Sequence, residues 1–167
     1  MIIGNPDKFS ILTDLVKEWS NTSWYSGVFF FCIGGELFPK EILNVTLNSE
    51  IWTLKEKLQN PSINEKLFNA EKEKAFVEMC RITFPENCDI DNDYQYYISP
   101  PTFGDFGYYT FIVSNGEQIR IMASKVNYII NESVHDLNNL KISEVFITNG
   151  ELEEIFWGLS SFLSETE

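Results

Sequence analysis

The segment FGYYTFIVSNGEQIRIMASKV, residues 106–126, constrains the fold more than any other part of this sequence. Two runs rich in β-branched and aromatic residues flank Asn115 and Gly116. This residue pair is favoured at the centre of two-residue type I′ turns, whose twist matches that of paired strands. The segment therefore predicts a β-hairpin with Asn115 and Gly116 as its central turn residues.

Other stretches also have strand character. Residues 9–19 largely alternate apolar and polar side chains, and the run WYSGVFFFCI at 24–33 continues in aromatic and β-branched residues. Gly34 and Gly35 permit positive φ and predict a second hairpin, which returns the chain through ELFP toward ILNVTL. VFIT at 145–148 predicts a last strand. These elements together predict a mostly antiparallel sheet.

Helical periodicity of apolar residues appears in three places. The predicted flanking helices lie near residues 49–60, 62–82 and 150–163. Strands and helices in this arrangement indicate an α+β fold. A chain of 167 residues with 44% hydrophobic residues is expected to form a single domain over residues 1–167.

Polar residues predict where these helices begin. Asn48 or Ser49 can cap the first helix. Ser62 and Glu65 have the spacing of a capping box for the second helix. Asn149 is predicted to cap the third helix.

The charge balance restricts the kinds of partner. The formal net charge of −13 opposes binding to phosphate backbones and to anionic lipid surfaces, so a cationic partner is expected. The start MIIGNPDKF lacks the basic and apolar regions of a secretion signal, and the spacings of the three cysteines match no zinc or redox pattern. A cytoplasmic protein without a cofactor is therefore expected.

The segment ENCDIDNDYQYY, residues 86–97, first suggests a calcium loop, because Asp89, Asp91 and Asp93 occupy alternate positions. The glycine required at the sixth position of such a loop is replaced by Tyr94. The closing glutamate at the twelfth position is replaced by Pro100. The calcium interpretation is therefore rejected, and no metal ligands are predicted.

The same segment is predicted to be a contact surface. Between Arg81 and Arg120 the sequence has six carboxylates and no Lys or Arg, and a second acidic region without basic residues follows Lys141. Carboxylates would steer a basic partner, and tyrosine rings would supply contact area. The predicted partner-binding residues are Glu86, Asp89, Asp91, Asp93, Tyr94, Tyr96, Tyr97, Asp105, Glu151, Glu153 and Glu154. The alternative is a solvated surface whose tyrosines belong to the core.

The sequence offers little for catalysis. His135 is the only histidine, and no nucleophile motif or triad pattern surrounds it. It is predicted to be a surface or strand-end residue. GDFG at 104–107 lacks the other kinase motifs and predicts a turn that leads into a strand. The protein is therefore expected not to be an enzyme.

The first fifty residues resemble the bacterial immunity protein 42 family. The resemblance rests on Gly4, Pro6, Phe9, Ile11, the Trp24–Tyr25 and Gly27 strand, and the Ile33–Gly34–Gly35 turn. It implies a cytosolic antitoxin, encoded beside the toxic C-terminal domain of a contact-dependent inhibition or related polymorphic toxin, which it binds and blocks. No catalytic residues are implied.

The implied role agrees with the charge pattern, because many such toxins are nucleases with cationic substrate clefts. The resulting hypothesis is stoichiometric occlusion of a basic toxin domain by an acidic, tyrosine-bearing surface. One alternative is an acidic adaptor or nucleic-acid mimic that binds a host nucleic-acid-binding protein. Another is a small-molecule-binding domain with an aromatic pocket.

Overall fold

The structure, a computed structural model, describes residues 1–166, and Glu167 lies outside the described residues. Ten strands and five α-helices follow one another, together with a short 3₁₀-helix at Lys17–Trp19. The strands are β1 (Ile2–Gly4), β2 (Phe9–Leu15), β3 (Ser26–Ile33), β4 (Glu36–Phe38), β5 (Val45–Thr46), β6 (Tyr108–Ser114), β7 (Gln118–Lys125), β8 (Asn127–Ile129), β9 (Val134–Asp136) and β10 (Ser143–Thr148). The helices are α1 (Leu47–Gln59), α2 (Glu65–Asn69), α3 (Lys72–Thr83), α4 (Pro101–Asp105) and α5 (Asn149–Thr166).

The strands form three antiparallel sheets. A five-stranded sheet has the order β1-β2-β3-β4, with β5 also paired to β3. A three-stranded sheet has the order β10-β7-β6, and β8 pairs with β9 in a separate ribbon. The predicted α+β class with antiparallel pairing is confirmed. The predicted return hairpin at Gly34 and Gly35 is also present, and both residues have positive φ.

The hairpin between β6 and β7 is confirmed, but its turn lies one residue further along the chain than predicted. The Asn115 N–H donates to the Gln118 carbonyl at 3.2 Å, so the central residues are Gly116 and Glu117. Within this turn only Gly116 has positive φ, at 97°, a conformation that glycine adopts without a steric penalty. The Asn115 side chain instead accepts hydrogen bonds from the Glu117 and Gln118 amides at 3.0 and 2.8 Å.

Strands β6 and β7 of the three-stranded sheet are buried on both faces and separate two hydrophobic cores. Alternate residues of β6 face opposite sides, so that Tyr108 and Ile112 join a core with the five-stranded sheet, α1 and α5. Tyr109 and Phe111 join a second core beneath α2 and α3. Burial on both faces explains why this part of the sequence is almost continuously apolar rather than alternating.

The predicted helix at 62–82 is interrupted and forms α2 and α3. The chain is extended at Ala70, and the side chain of Asn64, not Ser62, caps α2 by accepting from the Leu67 amide at 3.1 Å. The interruption lies over Arg120 of β7, whose side chain is 3% exposed. One guanidinium nitrogen of Arg120 donates to the carbonyls of Leu67, Phe68 and Ala70 at 2.8–2.9 Å. Carbonyls used in this way are those left free where a helix ends.

Helix α5 begins with a capping box at Thr148 and Glu151, one residue before the cap that the sequence predicted at Asn149. The Thr148 hydroxyl accepts from the Glu151 amide at 3.2 Å, and the Glu151 carboxylate accepts from the Thr148 amide at 2.8 Å. Thr148, not Asn149, is therefore the cap. None of the helices within residues 1–166 combines the length and the apolar character needed to cross a membrane.

Candidate functional site

The acidic segment, defined here as residues 86–93, connects α3 to the tyrosines at 94–97. Its shape depends on its own side chains: Asn87 accepts from the Asp89 amide at 3.0 Å, and Asp93 accepts from the Gln95 amide at 3.0 Å. The Asp93 amide donates to the Ile82 carbonyl at 3.2 Å, which joins the end of the segment to α3. Glu86, Asp89, Asp91 and Asp93 are all exposed.

These carboxylates carry uncompensated charge. The ion pairs within residues 1–166 use other acidic residues, namely Glu36, Glu41, Glu71, Glu144 and Glu151. In the described part of the chain, the four carboxylates of the acidic segment and that of Asp105 therefore have no ion-pair partner. Their negative potential remains available to a basic molecule.

The three tyrosines after the acidic segment differ in exposure, which corrects part of the predicted surface. Tyr94 is 48% exposed, whereas Tyr96 and Tyr97 are only 4% and 7% exposed. Tyr97 forms an antiparallel bridge with Phe111 of β6, and the Tyr96 hydroxyl accepts from the Asn64 amide group at 3.0 Å. Pairing with β6 brings Tyr96 and Tyr97 into the second core, so only Tyr94 presents substantial ring surface to a partner.

A pocket of about 390 Å³ lies beside Tyr94, and is called the aromatic pocket below. It is lined by Lys57, Phe84, Tyr94, Tyr97, Ser99, Pro101, Gly104, Asp105 and Tyr109. Phe84, at the end of α3, contacts the other rings: its centroid is 6.0 Å from that of Tyr94, 5.5 Å from Tyr97 and 4.9 Å from Tyr109. Asp105 is the last residue of α4, and the turn predicted at 104–107 follows at Phe106 and Gly107 and leads into β6. The fold thus places Asp105 and Tyr94 in the lining of the same pocket.

The aromatic cluster extends beyond the pocket to the β8–β9 ribbon. His135 of β9 lies 2.8 Å from the Tyr109 hydroxyl through Nε2, and its ring centroid is 5.1 Å from that of Phe84. Burial lowers the pKa of His135, which favours a neutral ring at pH 7. The ring of Tyr128, 53% exposed, ends the cluster at 5.2 Å from His135. The ring contacts of His135 are consistent with its role as a packing residue at a strand.

Helix α1 contributes two charged residues to this region: Lys57 lines the pocket, and Glu50 contacts Thr102 of α4. Lys57 Nζ is 5.1 Å from the centroid of Tyr97, and burial lowers the pKa of this lysine. The Glu50 side chain is 7% exposed, and its Oε1 accepts from the Thr102 hydroxyl at 2.7 Å. Its Oε2 has no hydrogen-bond partner among the described residues. Burial, together with the charge of Asp105, raises the pKa of Glu50.

The raised pKa of Glu50 predicts a pH-dependent cost to folding. A carboxyl with a raised pKa in the folded state stabilises the fold below its unfolded pKa of about 4.3, and this stabilisation is lost as pH rises through the folded pKa. Glu50→Gln is therefore expected to increase the free energy of unfolding by about 1 kcal/mol at pH 7. Thermal unfolding of the variant and the unchanged protein should show this gain at pH 7 and no gain below about pH 4.

Glu56→Gln provides the matched control, because Glu56 is exposed on the same helix. We expect it to change the stability by less than about 0.5 kcal/mol. An equal increase in stability for the two variants at pH 7 would contradict the prediction that the ionised Glu50 carboxylate destabilises the fold.

The second predicted acidic region divides between structural and free carboxylates. Glu151 belongs to the capping box of α5 and pairs with Lys8 at 2.6 Å, so its charge is compensated. Glu153 and Glu154 are exposed on α5. Glu153 lines a separate groove between α1 and α5, together with Trp157, which is 65% exposed. Helix α5 packs on the first core, so the fold does not bring these residues into the aromatic pocket.

Several residues around the aromatic pocket have no signal in the sequence. Lys57, Phe84, Tyr109 and His135 are far apart in the chain, and each fits an ordinary helix or strand pattern. They meet because β6 carries Tyr109 between α3 and the β8–β9 ribbon. Only the local density of carboxylates and tyrosines indicated this part of the molecule.

Comparison with known proteins agrees with the fold. A family model described as Immunity protein 42 matches residues 1–162. Among solved structures, the chain is similar to CdiI from Burkholderia dolosa AUO158, with a TM-score of 0.76 and 25% identity, over 96% of this chain and 99% of that chain. Among curated proteins, none matches.

Proposed function

The chain belongs to the Immunity protein 42 family, and from this premise we propose that it binds the C-terminal domain of a cognate toxin in the cytoplasm and neutralises it by stoichiometric occlusion. The similarity to CdiI over nearly the whole of both chains supports an immunity role. The proposed action is binding alone, with no reaction carried out by this protein.

The main support for the proposed mechanism is the uncompensated charge of the acidic segment beside the exposed ring of Tyr94. Glu86, Asp89, Asp91 and Asp93 have no ion-pair partner within residues 1–166, and Tyr94 follows directly. Clustered carboxylates accelerate the encounter with a basic protein, and an amphipathic ring then supplies buried contact area. The acidic segment is therefore the proposed docking surface.

We propose that the toxin domain is basic and acts as a nuclease. A nuclease needs a cationic cleft to hold its phosphate substrate. An acidic segment seated in that cleft would exclude the substrate while replacing its charge. This mechanism explains a strongly acidic inhibitor, with a net charge of −13, without requiring chemistry from it.

Charge reversal tests the docking surface. The triple variant Asp89→Lys, Asp91→Lys and Asp93→Lys is expected to associate with the toxin domain about tenfold more slowly at low salt, because steering is lost. The partner for this measurement is the product of the adjacent upstream reading frame, co-expressed and purified. Stopped-flow association at two salt concentrations should show that the difference shrinks as salt rises.

The matched control reverses Glu18, Glu56 and Glu78, which are exposed on three other elements. It changes the net charge equally but leaves the acidic segment intact. Equal slowing in both triple variants would show that net charge matters and the segment does not. Slowing only after reversal of Glu153 and Glu154 would instead assign docking to the surface of α5.

Rescue of growth tests the immunity role itself. Cells that express the toxin domain should survive when this chain is co-expressed and die without it. Failure to rescue, combined with capture of a host nucleic-acid-binding protein, would favour the acidic adaptor or nucleic-acid mimic instead.

A further inference from the structure

We propose that the aromatic pocket receives an arginine side chain of the toxin, an inference that rests on the proposed function and specifies the chemistry of the contact. The pocket lies directly beside the exposed ring of Tyr94 and has Asp105 in its wall. Its volume of about 390 Å³ is large enough to admit a long side chain.

The walls of the pocket favour a flat cation. Phe84, Tyr94, Tyr97 and Tyr109 all line it, and the faces of aromatic rings attract cations through their quadrupoles. The guanidinium group is planar and weakly hydrated, so it stacks on such rings at a lower desolvation cost than an ammonium group. Arginine therefore fits this lining better than lysine.

Lys57 shows that a cation is accommodated here. Its Nζ lies 5.1 Å from the centroid of Tyr97, and it forms no ion pair within residues 1–166. The Tyr97 ring therefore already faces an intramolecular cation. An incoming guanidinium would share the pocket with this ammonium, which repels it.

The carboxylates of Asp105 and of the acidic segment oppose this repulsion. Asp105 lies in the pocket wall without an ion-pair partner in the described residues, and the four carboxylates of the acidic segment lead into Tyr94. Lys57 is the one basic residue among those that line the pocket. Lys57 and Asp105 balance each other in formal charge, so the excess negative charge comes from the acidic segment next to Tyr94, and it favours a cationic occupant over a carboxylate.

A small probe tests the pocket separately from the toxin. We expect N-acetyl-arginine amide to cause saturable NMR shifts at Tyr94, Gly104 and Asp105, while N-acetyl-citrulline amide, its uncharged analogue, causes none. Asp105→Asn should weaken binding of the arginine probe about threefold, and Lys57→Met should strengthen it about threefold. Thermal unfolding checks that both variants are folded.

The possible results test the arginine pocket and the immunity role independently. Equal shifts with the citrulline probe, or weaker arginine binding in Lys57→Met, would overturn the proposed occupant. Rescue from the toxin without any arginine binding would refute the pocket and leave the immunity role intact. Arginine binding without rescue would refute the immunity role and retain the chemistry of the pocket. A toxin affinity that falls in Asp105→Asn and rises in Lys57→Met would support both the arginine pocket and the immunity role.

Discussion

Replacement of Arg120 by methionine is expected to lower the free energy of unfolding by about 3–5 kcal/mol, the cost of breaking a buried charge network. Arg120 is 2% exposed, and its guanidinium pairs with Glu144 at 2.5 Å. It also satisfies the carbonyls of Leu67, Phe68 and Ala70 at the end of α2. Methionine fills similar space but leaves these carbonyls and the Glu144 carboxylate without their donor.

Arg81 supplies the control for this prediction. It is the other arginine of the chain and is exposed on α3, so Arg81→Met is expected to change stability by less than about 0.5 kcal/mol. Urea unfolding of both variants gives the comparison. If the two variants lose unfolding free energy to within about 1 kcal/mol of each other, the Arg120 network contributes little to stability.

Gly27→Ala is expected to destabilise the protein by about 3 kcal/mol or more, because the new methyl group has no space. A Cβ at Gly27 would lie 2.0 Å from the Asp14 carbonyl oxygen and 2.8 Å from a methyl group of Leu47. Asp14 belongs to β2, the neighbouring strand, so its backbone moves only if the β2–β3 pairing is disturbed. The effect should appear as a lower denaturation midpoint in urea.

Gly150→Ala is the matched control for Gly27. A Cβ at Gly150 would have its nearest neighbour, the Thr148 hydroxyl oxygen, at 3.9 Å. Alanine is also the better helix former, so this variant is expected to be neutral or stabilised by up to about 1 kcal/mol. A stable Gly27→Ala variant would require β2 and β3 to separate locally at little cost.

Local patterns predicted the elements whose formation depends on nearby residues. The β6–β7 hairpin, the β3–β4 return and α5 all follow from short-range signals, and each is present. The interruption of the predicted 62–82 helix was not predictable, because it depends on Arg120, about fifty residues further along the chain. The exact turn residues between β6 and β7 depended on the side chain of Asn115, which propensities alone did not resolve.

The candidate site was predictable only in its charge. Exposed carboxylates at 86–93 follow from their composition, since isolated charges are seldom buried. The burial of Tyr96 and Tyr97 follows from pairing of Tyr97 with Phe111, a contact between distant parts of the chain. The pocket beside Tyr94 has the same origin, since α1, α3, α4 and β6 each contribute to its lining.

The three-stranded sheet, shared between the two cores, has a consequence for recognition. Since β6 and β7 are covered on both sides, neither core can loosen without exposing backbone that the other core depends on. The rings beside Tyr94 are anchored to β6 through Tyr97 and Tyr109, so their positions are set before any partner arrives. A preorganised surface loses little conformational entropy on complex formation, which favours rapid capture and slow release.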